Sequence, residues 1–350
     1  MHVVAGITLK NLSPRVWNSD SQYHLPDLRA VMISYADFHH QRAQRRRAME
    51  LGIHASLGIP KNINVFLDNG AFFFSARGET VPVKEYEEFV ENAHPCWKPV
   101  PRDFIPTPSM SFAEQRLCLN RTMRVNRSFQ HDGYVPVAHI SRVLDEYVVR
   151  IKAHSQLAAK PHIALGAIVP NLLRASKAMP YRHILDGLKK FRRDFADKKV
   201  HVFGIGGTAT VHLAMLIGID SVDSSGWRNR AARGIIQLPG SGERVITALG
   251  SWRGRQLSRE EMRTLRACLC PACQFEGVRG LKASGTRGFC NRATHNLWTL
   301  LEEVKWVEKH LTAGTYREAY KEHLDNTIYR PLIEYLVNAL PERENADGRT

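Results

Sequence analysis

Short apolar runs alternate with longer amphipathic stretches along most of this chain. Seven runs read as strands: AVMISYAD from Ala30, NVFLDNGAFFF from Asn64, DFIPTPS from Asp103, YVPVAHI from Tyr134, HIALGAIVP from His162, KVHVFGIGG from Lys199 and IDSVDSSG from Ile219. Between them lie helical patterns such as VKEYEEFVENA, SRVLDEYVVRIKAHSQLA, YRHILDGLKKFRRDFADK and TATVHLAMLIG. Strands that are apolar on both faces, separated by helices, predict a parallel sheet covered by helices. An eighth strand is less defined, either HVVAGITL near the N-terminus or GIIQL from Gly234. The repeated alternation therefore predicts an α/β fold, a (β/α)8 TIM barrel rather than an open sheet.

Past Arg253 the pattern changes to a cysteine-rich stretch and three helix-like segments, HNLWTLLEEVKWVEKHL, TYREAYKEHLDN and YRPLIEYLVNAL. The expected organisation is a catalytic barrel over 1–252, a zinc-binding segment with closing helices over 253–340, and a frayed tail over 341–350. Cys268, Cys270, Cys273 and His295 form C-x-C-x2-C-x21-H. Three thiolates and an imidazole make a closed tetrahedral donor set that zinc fills, and with no open position its role is structural. Cys290 competes as fourth ligand, but His295, opening a helix-like run, is preferred. Cys96 and Cys118 read as small buried residues.

Charge narrows the class of partner. The chain carries 49 Lys and Arg against 34 Asp and Glu, a formal net charge of +15. Between Arg228 and Arg292 there are 13 basic and 4 acidic residues, so most of the surplus is local. Such a surplus predicts a polyanionic partner, nucleic acid before membrane, since no basic amphipathic stretch reads as an interfacial anchor. Arg228, Arg230 and Arg233 are the nearest phosphate-binding candidates, with Arg42, Arg45, Arg46 and Arg47 a second group that reads equally as a solvated helix face. No apolar run reaches the ~18 residues of a membrane span, and MHVVAGITLKNLSPRVW does not read as a signal peptide. Six cysteines, three within six positions, predict a reducing, cytoplasmic setting.

Chemistry in such a barrel sits at the C-terminal ends of the strands. Asp68 closes NVFLD, Asp103 opens DFIPTP, His139 ends VPVAH, Gly166 interrupts IALGAIVP, Gly204, Gly206 and Gly207 end HVFGIGG, and Asp223 ends IDSV. Singly, each Asp reads as a helix cap or turn residue. Asp220 is left as structural. Three carboxylates at one barrel mouth fit a retaining two-step cleavage of a glycosidic bond, with a nucleophile and a general acid/base.

Taken in order, these motifs resemble the tRNA-guanine transglycosylase family over roughly residues 30 to 305. LDNGAF is similar to its D-S-G-G-F motif, RDFIPTP to the L-D-I-P-T-P run of the archaeosine branch, and VPVAH to P-V-V-Q-G. LGAIVP is similar to G-S-V-V-P, IDSVDSSGWRNRAARG to the stretch ending F-D-S-A-S-Y…A-R, and the cysteine run to C-x-C-x2-C…H-N-L. Three positions depart: Asn69 stands for the Ser, Ala71 for the second Gly, and His139 for the Gln of the fourth strand. The chain is expected to do without the C-terminal tRNA-binding domains of archaeal members. Together these departures resemble the DpdA-type relatives, which place 7-deazaguanine in DNA, and rank DNA ahead of tRNA.

The resemblance implies that guanine is exchanged for a preQ0-like 7-deazaguanine without redox cofactor or ATP, and that Zn2+ is structural. Asp223 attacks C1′ to give a covalent glycosyl-enzyme while Asp68 protonates the leaving guanine. The incoming base then returns a proton to Asp68 and attacks on the same face. Asp103 accepts from the guanine N–H edge, with Asn69, His139, Gly166 and Gly206 around the base and Phe72 stacked on it. For Phe72 a packed strand-end aromatic, and for His139 a satisfied core histidine, are the bland alternatives. Partners implied are nucleic acid, the free base, a homodimer copy and helper ATPase proteins. A guanine-releasing nucleoside hydrolase or DNA glycosylase, or a non-catalytic nucleic-acid-binding protein, are the competing functions.

Overall fold

Seven parallel strands form one sheet in the order β3-β2-β1-β7-β6-β5-β4. They are β1 (His2–Gly6), β2 (Ala30–Ser34), β3 (Asn64–Asp68), β4 (Val137–His139), β5 (His162–Gly166), β6 (Lys199–Val202) and β7 (Ser221–Ser224). The computed structural model describes residues 1–130, 133–169, 177–250, 254–324 and 329–338. Register brings Ser34 opposite Asp68, and Val4 opposite Asp223.

The two edges of this sheet are joined by segment 96–100. Phe66 bridges to Trp97 and Pro99 to Val135, both in the parallel sense. The Leu67 N–H donates to the Trp97 carbonyl at 2.8 Å, and the Val135 N–H to the Lys98 carbonyl at 2.9 Å. The result is an eight-stranded barrel. The expected strand at DFIPTPS lies several residues upstream of its predicted place, and 103–106 is irregular. Pro99 supplies no N–H and Pro101 follows, so the ladder here is too sparse to form a regular strand. HVVAGITL supplies β1, whereas GIIQL lies outside the barrel as β8 (Ile235–Leu238), antiparallel to β9 (Gly242–Val245).

Val4, Val31, Val65, Val200, Val202 and Val222 are buried, as expected of strands with helices outside and side chains filling the barrel. The helix Tyr181–Asp194 turns Ile184, Leu185, Leu188 and Phe191 inward. The helix Thr208–Ile217 is apolar almost all round; it packs against both the helix Gly285–Ala313 and the helix Arg330–Asn338. The helix Phe112–Ser128 starts on a reciprocal cap between Ser111 and Glu114. The expected boundary at 252–253 and the expected tail 341–350 fall outside the described residues. Among the described residues no helix is long and apolar enough to cross a membrane.

Candidate active site and metal centre

Every barrel strand delivers a residue to one cavity of about 390 Å³ at the C-terminal mouth. Gly6, Ser34, Asp68, Asp103, His139, Gly166, Gly204 and Asp223 line it in strand order, Asp103 following segment 96–100. Asn69 and Phe72 line it as well. Phe72 stands on a short helix, Ala71–Ser75, not on the strand the sequence predicts, and is 67% exposed. The ring is therefore not a packed core aromatic; it stands open at the cavity rim.

The three carboxylates are held differently. Asp68 Oδ2 accepts from the Ser34 hydroxyl at 2.9 Å and from the Gly70 N–H at 3.0 Å. Burial pushes the Asp68 carboxyl up to about 6, with the charges of Asp103 and Asp223 adding to it against those two hydrogen bonds. Asp103 is clamped: Asn69 Nδ2 donates to Oδ1 at 2.7 Å, and His139 Nε2 lies 2.7 Å from Oδ2. Asn69 also donates to the Val100 carbonyl at 2.9 Å and accepts from the Ala71 N–H at 2.9 Å. His139 is fully buried and its Nδ1 lies 3.0 Å from the Tyr147 hydroxyl. Both ring nitrogens are thus committed, and His139 lines the cavity with neither nitrogen free.

Asp223 Oδ1 accepts from the Gly204 N–H at 2.7 Å. Gly204 has φ +78°, which frees its N–H to turn toward β7 and requires glycine. Gly206 does not line the cavity: a Cβ there would lie 2.5 Å from Ser224 Cβ and 2.6 Å from the Asp223 carbonyl oxygen, so this glycine lets the turn press onto the end of β7. Ala167, on the cavity wall, adopts φ +63°, a strained conformation for a residue with a Cβ. Sequence reasoning passed over Ser34, Gly204's amide and Ala167. The signal for Ser34 was its place at the end of the strand beside Asp68.

Arg228 is where charge counting misleads. It is buried, and its guanidinium donates to the carbonyls of Asn11 and Ser13 and lies over the rings of Trp227 and Phe289. Its expected phosphate contact is replaced by an internal clamp. Arg230 pairs with Glu243 at 2.5 Å, and Arg233 is exposed. Arg244 and Arg292 are buried as well, so the outward positive charge of the described part of this region rests on Arg233, Arg255, Arg259, Arg263, Arg266, Arg279, Lys282 and Arg287, all exposed. Arg228→Ala is expected to destabilise the protein by about 1–3 kcal/mol, because a buried charged donor and its hydrogen bonds to the Asn11 and Ser13 carbonyls are lost. The salt dependence of nucleic-acid binding should stay unchanged; a flatter salt slope for this variant would return Arg228 to the phosphate track.

The Cys268, Cys270 and Cys273 sulfurs lie 3.5, 3.6 and 3.5 Å from His295 Nδ1. A tetrahedral ion with metal–sulfur bonds of ~2.3 Å and a metal–nitrogen bond of ~2.0–2.1 Å has sulfur–nitrogen edges of about 3.5 Å. The donor set therefore fits a metal ion. His295 Nε2 lies 2.9 Å from the Gln237 carbonyl, which fixes the proton on Nε2 and leaves the Nδ1 lone pair for the ion. Cys290 is buried outside the cluster. His295 sits in the middle of the helix Gly285–Ala313, which starts ten residues earlier than the sequence pattern predicts.

A second group, His212, Glu303 and His323, also brings together possible ligand atoms. Its nitrogen–oxygen distances are 2.6 and 2.7 Å. These are hydrogen-bond lengths, shorter than the ligand–ligand edges of a coordination shell. This group ties Thr208–Ile217 to Gly285–Ala313 and Tyr316–His323.

No family model matches the chain. It is 26% identical over 320 residues to the tRNA-guanine(15) transglycosylase of Thermococcus onnurineus, covering 83% of this chain and 48% of that one. The enzyme of the same name from Pyrococcus abyssi is 25% identical over 289 residues, covering 78% and 44%. That from Methanosarcina barkeri is 23% identical over 276 residues, covering 77% and 52%. This chain is a relative of the tRNA-guanine transglycosylases. It spans about half the length of the curated transglycosylases it matches. The motifs by which the sequence resembles that family fall at the mouth of one barrel, and the cysteine run closes on His295.

Proposed function

We propose that this protein exchanges guanine in a nucleic acid for a 7-deazaguanine base through a glycosyl-enzyme on Asp223. The observation that supports this best is the convergence of three carboxylates on one cavity, with Asp68 raised into the range of a general acid near neutral pH. tRNA is the preferred substrate, because the relatives above are named for tRNA; the DNA expected from the sequence has less support. The extruded nucleotide enters the cavity, with Phe72 stacking on the base. Asp103 retains a lone pair on each oxygen after its Asn69 and His139 contacts, enough to accept two adjacent N–H groups of guanine. Zinc on Cys268, Cys270, Cys273 and His295 is structural.

In the first half-reaction an Asp223 oxygen bonds to C1′, the C1′–N9 bond breaks, and its electron pair takes the Asp68 proton. In the second, the incoming base gives its N9 proton to Asp68, bonds to C1′ and releases the Asp223 carboxylate. Because the first half needs Asp68 protonated, single-turnover adduct formation should fall as pH rises above about 6, tenfold per unit in the limit. Asp103→Asn should move this limb to lower pH by removing a neighbouring charge. A limb at the same pH in that variant would sink the assignment of Asp68.

The deciding experiment offers tRNA and DNA separately, each with labelled guanine or preQ0. Label in tRNA supports the preferred reading and label in DNA the second. Guanine release without incorporation would indicate a hydrolase or glycosylase, and salt-sensitive binding with neither would indicate a binding protein.

A further inference from the structure

His201 lies directly beneath Asp223. β6 pairs with β7 so that His201 faces Ser221 and Val202 faces Val222. The imidazole is 2% exposed and packs among Phe66, Trp97 and Phe203, with ring centroids 5.9, 5.0 and 4.8 Å away. Its Nδ1 lies 2.9 Å from the Ser221 hydroxyl. Its Nε2 is buried without a hydrogen-bond partner and stands 3.6 Å from Asp223 Oδ1.

Two proton placements are open to the neutral ring, and they are not equal. With the proton on Nδ1, the Nε2 lone pair would face a carboxylate oxygen in a site that excludes water. With the proton on Nε2, Ser221 donates to Nδ1 and the Nε2–H faces Asp223. A doubly protonated ring presents the same Nε2–H. Either favoured state puts a donor under Asp223, slightly beyond hydrogen-bond length.

We propose that His201 is a positioning residue for Asp223, holding Oδ1 together with the Gly204 N–H so that Oδ2 is the oxygen that bonds to C1′. This rests on Asp223 being the nucleophile. During the second half-reaction the C1′–Oδ2 bond breaks and its electron pair returns to the Asp223 carboxylate. Donors on Oδ1 stabilise the charge as it develops there. Loss of one should slow this step more than the first, in which the same donors also stabilise the starting carboxylate.

The test uses the full chain and two variants, His201→Phe and His201→Gln; glutamine offers an amide donor from the same position. In His201→Phe the covalent adduct should accumulate, with kcat down roughly 10–100-fold and KM for the free base unchanged; His201→Gln should restore most of the rate. A readout free of turnover is the carboxyl titration of Asp223, followed by 13C NMR. It should move upward by about one unit in His201→Phe and stay near the native value in His201→Gln. An unmoved titration in folded His201→Phe overturns the proposal. So does a native 15N histidine spectrum showing Nε2 without a proton, which needs no variant. If the titration moves but the native protein forms no adduct with tRNA or DNA, the His201 pairing stands and the transglycosylase reading fails.

Discussion

Asp223→Asn is expected to lower base exchange by at least ~10³-fold and to leave no covalent adduct with either nucleic acid. The substitution is nearly isosteric, and its amide oxygen can keep the Gly204 hydrogen bond that Asp223 Oδ1 now accepts at 2.7 Å. The barrel mouth should therefore survive, and the loss be chemical. A neutral amide lacks the charge to attack C1′ or to stabilise an oxocarbenium-like transition state. Binding should be preserved, or strengthened slightly, because one of three clustered negative charges is removed beside a polyanion. The measurement is denaturing-gel or intact-mass detection of the adduct, alongside incorporation of labelled base and a binding isotherm. Full exchange in this variant would remove Asp223 from the reaction. Exchange lost together with binding would show instead that the residue shapes the site.

Asp68 and Asp223 were legible in the sequence because each ends an apolar stretch where a core would not place a charge, and Asp103 because it opens the DFIPTP run. Their shared cavity was legible only through the barrel, since no local pattern records that β3, segment 96–100 and β7 open on one mouth. The strand expected at DFIPTPS was misplaced because Pro99 and Pro101 break the apolar run that marks the others, leaving Trp97 and Val100 as isolated signals. The helix Phe112–Ser128 carried a readable cap in Ser111 and Glu114, but its apolar positions are thinly spread. Arg228 was misread for a different reason: composition counts charges without recording which way they face. The Asn11 and Ser13 carbonyls that bind it lie more than two hundred residues away. His201 gave no sequence signal beyond that of a histidine in an apolar strand.

Removing the metal site should produce the largest change in stability. Cys270→Ala is expected to lower bound zinc from one equivalent to none and to reduce the melting temperature by about 10 °C, of order 5 kcal/mol. The core beneath the cluster is small. Ile236, Leu238, Ile246, Leu265, Ala272 and Leu281 form it together with Cys270 and Cys273 themselves. So small an apolar cluster does not close a segment of this length without a staple. Cys270 also caps the helix Pro271–Lys282, its sulfur accepting the Cys273 N–H at 3.2 Å. One substitution thus removes a ligand and a cap together. His295 would keep its contact with Gln237, so the long helix should hold to β8 while the cysteine loop opens. Limited proteolysis should then cut first near 259–282, ahead of the barrel strands. Cys290→Ala is the matched control, also buried but outside the cluster, and should keep a full equivalent of zinc. Equal metal content in both variants would refute the ligand assignment, and an unchanged melting temperature in metal-free Cys270→Ala would refute the structural role.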